Sequence, residues 1–153
     1  MVCGFLIMGT LAARLAHIGI PPIKVAGAGL FVFLLVQTFI IFGPADSYIE
    51  LTWIAFGFFG TTGIIQYAVL SQHFPRSLSG RVNTSINLFV FIAAFILQWL
   101  SGIIIDLWTQ TATGHYAQES YQTSFSVLLI IQIIAFLWFI GADRIRLGKS
   151  RIS

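Results

Sequence analysis

The chain has 153 residues, of which 58% are hydrophobic and only 8% charged, against about 25% charged in an average soluble domain. That composition excludes a water-soluble globule, and the mean hydropathy of +0.93 places the apolar excess against lipid or other membrane helices. The net charge of +3 does not point to nucleic acid, because the basic residues stand in ones and twos beside apolar runs rather than along one face.

Formal charges divide the sequence. Between Lys24 and Asp46 lie 21 uncharged residues, between Glu50 and Arg76 there are 25, between Arg81 and Asp106 there are 24, and between Glu119 and Asp143 there are 23. A helix crossing ~30 Å of hydrocarbon at ~1.5 Å per residue needs about 20. The fold class expected is therefore all-α, a polytopic membrane bundle with four full crossings near Lys24–Gly43, Leu51–Phe74, Val82–Ile105 and Tyr121–Ala142.

Before these four, Val2–Ala13 is apolar but spans only about 18 Å as a helix, too short for a full crossing; counted as the first segment, it makes the full crossings the second to fifth. It lacks the basic leader of a secretory signal. A free α-amino group in mid-bilayer is costly, so the expectation is a truncated first helix and a chain that forms the later part of a longer membrane protein. The turn at Gly19-Ile20-Pro21-Pro22 follows, with the prolines at a helix start where a missing N–H costs least. Gly43-Pro44 and Phe74-Pro75 close the next two crossings. The short connection from Pro44 to Glu50 makes its two helices antiparallel neighbours. The connection from Asp106 to Ser120 is longer, contains Gly114 and has no signal of a folded domain. The lone Cys3 allows no intramolecular disulfide.

Sidedness follows from charge sign. Arg14 and Lys24, then Arg76 and Arg81, then the tail of residues 143–153 with Arg144, Arg146, Lys149 and Arg151, fall on one side of an alternating path; Asp46, Glu50, Asp106 and Glu119 fall on the other. Lysine and arginine stay on the cytoplasmic side, so the cell membrane is the expected location, with a cytoplasmic C-terminus; only Asp143 departs from the pattern. Tyr48, Trp53, Trp108, Tyr116 and Tyr121 cluster near the outer segment ends and Trp138 near an inner one, either as headgroup-level anchors or as ordinary packing residues.

No full crossing carries an ionisable acid or base in its interior, and no HExxH, GxSxG, phosphate-binding loop or metal-ligand spacing occurs. The reading calls for no catalytic residue, cofactor or metal. His17, His73 and His115 are isolated at loop or helix-end positions. Polar character gathers on the fourth crossing: taking Asn83 as zero and ~100° per residue, Asn87 falls at ~40°, Ala94 at ~20°, Gln98 at ~60° and Ser101 at ~0°. This stripe either lines a water-filled path or provides interhelical hydrogen bonding. Gln98 is its deepest amide; Asn83 and Asn87, near the basic end, read more readily as structural. The third crossing contains Gly57, Gly60, Thr61 and Gly63, with Gly57, Gly60, Thr61 and Ala68 on a face suited to close packing. Gln66 points nearly opposite and is either a lining residue or a helix partner. Gln37, Thr38 and Gln132 carry the same alternatives at lower weight.

Two stretches resemble the major facilitator superfamily of transporters. Gly9-Thr10-Leu11-Ala12-Ala13-Arg14-Leu15 with the Gly19-Ile20-Pro21-Pro22 turn resembles the cytoplasmic loop after that family's eighth helix, although Ala13 stands where the family has an aspartate. Phe74-Pro75-Arg76-Ser77-Leu78-Ser79-Gly80-Arg81, with Asn83 and Asn87, is similar to the loop entering the eleventh helix, whose usual end Gly102 and Asp106 fit. The resemblance implies that residues 1–153 are helices eight to twelve of twelve, the first cut short, from a gradient-driven carrier whose two halves rock about a midplane site. It implies a small-molecule solute, a missing N-terminal half as partner, and no transport by this chain alone. The other reading is a non-transporting membrane subunit or translated remnant.

Overall fold

The computed structural model describes residues 2–43, 48–72, 74–110 and 115–149. Asp46, His73, Gly114 and Arg151 lie outside them, as do Pro44 and the turn it opens. The described residues form α1 (Val2–His17), α2 (Pro22–Phe42), α3 (Ile49–Phe59), α4 (Gly63–Gln72), α5 (Ser79–Asp106) and α6 (Gln118–Lys149), with 3₁₀ turns at Gly60–Thr62 and Arg76–Leu78. Among the described residues, four helical spans are long and apolar enough to cross a bilayer: Pro22–Phe42, Ile49–Gln72, Arg76–Asp106 and Gln118–Ala142, of 21, 24, 31 and 25 residues. The shortest is about 32 Å long at 1.5 Å per residue. The protein is an all-α, multi-pass membrane protein with a shorter apolar helix in front.

That front helix is longer than its apolar run. It continues through Arg14 to His17, because cations in the last turn suit the negative end of the helix dipole. Its end is a Schellman motif: the Gly19 N–H reaches the Ala16 carbonyl at 3.1 Å and the Ile20 N–H reaches Leu15 at 2.9 Å. Gly19 has φ +86°, a conformation only glycine enters freely. Pro21 and Pro22 then start α2 at its cap and first position.

α2 is the core helix, packed by α1, α3, α4 and α6, with Val25, Ala26, Gly29, Leu34, Gln37 and Ile41 buried. α6 runs antiparallel beside it. As α2 advances through Phe31, Gln37 and Ile41, its partners on α6 step back through Phe136, Phe125 and Gln122. α3 and α4 run antiparallel to α2, with Phe33 against Phe56 (ring centroids 4.8 Å) and Gly29 against Thr62. α1 runs parallel to α4: Gly4 abuts Thr61 at one end, and Ala16 shares a groove with Gln72 at the other. One apolar cluster (Met8, Ala12, Val25, Ala26, Ile65) ties α1, α2 and α4; a second (Leu34, Ile41, Leu129) ties α2 and α6.

This up-and-down order sorts charge by end. Arg14, Lys24, Arg76 and Arg81 sit at helix ends on one side of the bundle, and Glu50, Asp106 and Glu119 at helix ends on the other. We call these the basic end and the acid end. At the acid end the Tyr116 hydroxyl donates to Asp106 Oδ1 at 2.6 Å, clasping the last residue of α5 to the segment that enters α6. α6 reaches Lys149, so Arg144, Arg146 and Lys149 of the basic tail fall on its final turns.

Candidate functional site

α5 is the least covered helix. It packs on α6 and α4, and none of its residues is buried. Its half-buried apolar positions are Val82, Ile86, Leu97, Leu100, Ile104 and Ile105; all but Ile105 share one side, a seam interrupted by the exposed residues 87–96. Asn83, Asn87, Ala94 and Gln98 are exposed and Ser101 is half-buried. At ~100° per residue the centre of their stripe lies roughly 95° around the helix from the centre of the seam. The far side carries Leu88, Ile92, Phe95, Ile96 and Trp99, all largely exposed. α5 therefore has three faces: a contact seam, an amide stripe flanking it, and a broad apolar side suited to lipid.

The stripe unites Asn83, Asn87, Gln98 and Ser101; Gln66 is not part of it, being half-buried on α4. The remaining residues that the sequence points to lie on α1 and around the start of α5. Gly9 and Arg14 are exposed on α1, and Gly9 lines a groove of ≈ 400 Å³ between α1 and α4 together with Ala13 and Gln72. Pro75 is exposed in the turn joining α4 to α5, where the Leu78 N–H bonds to the Pro75 carbonyl at 2.9 Å, and Gly80 and Arg81 are exposed in the first turn of α5.

Buried polar groups lie elsewhere, on helices given less weight in the sequence. Gln37 is 1% exposed. Its Nε2 donates to the Phe125 carbonyl of α6 at 3.3 Å, while Gln122 Nε2 of α6 donates back to the Ile41 carbonyl of α2, also at 3.3 Å. Gln37 Oε1, Gln132 Oε1 and Thr62 Oγ1 are buried without a partner. Ser120 and Ser124 are buried near the start of α6. A signal for this seam exists in the sequence: Gln122, Phe125, Leu129, Gln132, Phe136 and Phe139 follow an alternating three- and four-residue spacing, the repeat by which one helix faces another.

The glycine face of the third crossing is used differently from expectation. Gly57 and Gly63 have open space around them, and Gly60 meets only Phe33. The close approaches come from Thr61 and Thr62, both buried at the 3₁₀ turn, against glycines of other helices. A Cβ on Gly4 would sit 2.8 Å from Thr61 Oγ1, and one on Gly29 would sit 2.5 Å from Thr62 Cγ2. Small residues facing threonines let α1 and α2 meet the third crossing at backbone range.

At the acid end, α2, α3 and α6 line an open cleft of ≈ 290 Å³. Phe39 and Ile41 of α2, Thr52 and Trp53 of α3, and Tyr121, Gln122 and Phe125 of α6 are among its walls. Among the described residues no group of three His, Cys, Asp or Glu side chains gathers to hold a metal ion.

A helical bundle with four apolar spans, charge sorted by end and an amide stripe on its least covered helix defines a multi-pass α-helical membrane protein. No model of a known protein family, no curated protein and no solved structure matches this chain.

Proposed function

We propose that this chain forms one wall of a solute pathway in a gradient-driven transporter of the major facilitator type, with the stripe on α5 turned toward a second helical bundle. The observation that carries the reading is the uncovered amide face of α5. Asn83, Asn87 and Gln98 are exposed along a helix that spans the hydrocarbon. An amide facing lipid without a hydrogen-bond partner costs several kcal/mol, so this face belongs against water or another polar surface. The seam beside it already holds α5 to the bundle, which leaves the stripe for what lies across the gap. Of the two stretches that resemble the family, Phe74–Arg81 lies at the basic end, as a cytoplasmic loop of that family would, whereas Gly9–Leu15 is helical, part of α1, and runs toward that end. In this reading the basic end is cytoplasmic and the membrane is the cell membrane. Absence of a phosphate-binding loop from the sequence favours an ion or solute gradient over ATP as the driving force. One wall encloses no path, so the chain alone moves no solute.

Aqueous thiol labelling tests the wall. In a Cys3→Ala background, Gln98→Cys and Asn87→Cys are expected to react in intact membranes with a charged methanethiosulfonate reagent. Ile92→Cys and Ile96→Cys, on the lipid side, are expected to react at least tenfold more slowly, since the reactive thiolate forms only where water reaches it. A silent Gln98→Cys, or equal rates at all four positions, would sink the pathway reading and leave the stripe as a buried helix contact.

A further inference from the structure

We infer that the cleft at the acid end binds an organic ammonium ion: a protonated amine carrying an apolar or aromatic arm. This is independent of the transporter reading, which concerns α5.

Four properties of the cleft agree on that chemistry. Aromatic rings from three helices line it, namely Phe39, Trp53, Tyr121 and Phe125. Trp53 and Phe125 stand at 90° with centroids 6.4 Å apart, making two walls of a corner. Aromatic faces carry negative charge density and attract ammonium groups, tryptophan most strongly.

Two polar groups of the walls keep oxygen lone pairs for a ligand. The Thr52 hydroxyl donates to the Tyr48 carbonyl at 2.8 Å, and Gln122 Nε2 donates to the Ile41 carbonyl at 3.3 Å. With its only proton committed, Thr52 Oγ1 offers a ligand only an acceptor, and Gln122 keeps Oε1 for the same use. Thr52 and Gln122 thus offer acceptors to a ligand that donates, while the Tyr121 hydroxyl and the Gln118 amide can either donate or accept.

Two carboxylates are sequence neighbours of residues that line the cleft. Glu50 is in the first turn of α3 next to the lining residue Ile49, and Glu119 is in the first turn of α6 next to the lining residue Gln118. Both are exposed. Lysine and arginine are missing from the sequence between Lys24 and Arg76 and between Arg81 and Arg144, the stretches that supply every lining residue. The local field thus draws cations and repels anions. Finally, the volume of ≈ 290 Å³ suits one ring with a short arm rather than an extended chain.

The same ammonium group is presented by a free amine and by the headgroup of phosphatidylethanolamine, so the test separates them. The full chain is placed in nanodiscs of phosphatidylglycerol and binding of radiolabelled phenylethylammonium is measured by equilibrium dialysis, with empty discs subtracted. Saturable binding near one per chain is expected, with uncharged 2-phenylethanol competing at least tenfold more weakly and anionic 3-phenylpropionate not competing. Trp53→Leu is expected to weaken binding about tenfold. As a second variant that leaves the cleft walls intact, Glu50→Gln with Glu119→Gln is expected to weaken it several-fold and to flatten its salt dependence. In phosphatidylethanolamine discs a loss of apparent affinity identifies the lipid headgroup as occupant, and unchanged affinity identifies a free amine. Binding no greater than in empty discs, equal competition by 2-phenylethanol, or an unaltered affinity in Trp53→Leu overturns the proposal.

Discussion

Gly29→Ala is expected to destabilise the bundle by about 1–3 kcal/mol, the usual cost of forcing a methyl into a filled interior. The added Cβ falls 2.5 Å from Thr62 Cγ2, 2.7 Å from its Oγ1 and 3.1 Å from its Cβ. Thr62 is fully buried and β-branched, so it has no flexible end to swing aside. Either α2 or the 3₁₀ turn must move. The clash is with the side chain, which makes a compensating change possible: Thr62→Ala removes the two nearest atoms and also a buried hydroxyl that has no partner. The double variant Gly29→Ala/Thr62→Ala is therefore expected to recover most of the loss, measured by thermal unfolding in detergent as a double-mutant cycle. If Gly29→Ala alone melts with the parent, or the double variant is no better than the single, α2 and the third crossing do not meet as described. Gly4, opposite Thr61, predicts a smaller effect in the same direction, since its closest approach is 2.8 Å.

The second large effect concerns Gln37, where size matters more than polarity. Gln37→Ala is expected to cost about 2–3 kcal/mol, because it empties a site that is 1% exposed between α2 and α6. Gln37→Leu keeps most of the volume. It gives up one cross-helix hydrogen bond of 3.3 Å, worth on average about 0.6 kcal/mol inside a membrane protein, but also removes a buried acceptor with no partner. An unsatisfied buried group costs about 1–3 kcal/mol, so Gln37→Leu is expected to be neutral or slightly stabilising. Unfolding midpoints of the two variants side by side decide the matter. Should Gln37→Leu fall as far as Gln37→Ala, the amide itself holds the seam.

These two residues also mark where reading from sequence ran out. The four crossings were legible because their cause is local: twenty or so residues without charge are long enough to span hydrocarbon, and Gly-Pro and Pro-Pro steps mark their ends. Crossing bounds read from charge gaps lie within three residues of the helical ones where α2, the third crossing and α6 begin, and within two where α2 and the third crossing end. α5 begins earlier than expected, since the Arg76–Leu78 3₁₀ turn runs into it, and α1 runs four residues beyond its apolar stretch. Both differences come from polar residues at helix ends, which prolong a helix without adding to its apolar length.

Lateral partners were a different matter. A helical wheel ranks Gln98 above Gln37 by depth and by company, yet Gln98 is exposed and Gln37 is sealed between two helices. It groups Gly57, Gly60 and Thr61 on one face, but of these only Thr61 is closely packed, and its partner Gly4 stands 57 positions earlier in the chain. The seven-residue spacing on α6 was available as a clue to the α2–α6 seam, although it names a face and not the helix across from it.

Charge spacing along the chain by itself determined the number of apolar spans, their up-and-down alternation and the sorting of acids from bases, since each depends only on the solvent a segment meets along its own length. The tertiary structure alone decided that α2 is the core helix, that two threonines close on Gly4 and Gly29, and that α5 keeps an amide stripe uncovered. Within a bilayer lipid tails are as apolar as leucine, so hydrophobicity does not choose which helices touch; shape and hydrogen bonding do, and these depend on atoms brought together from distant parts of the chain.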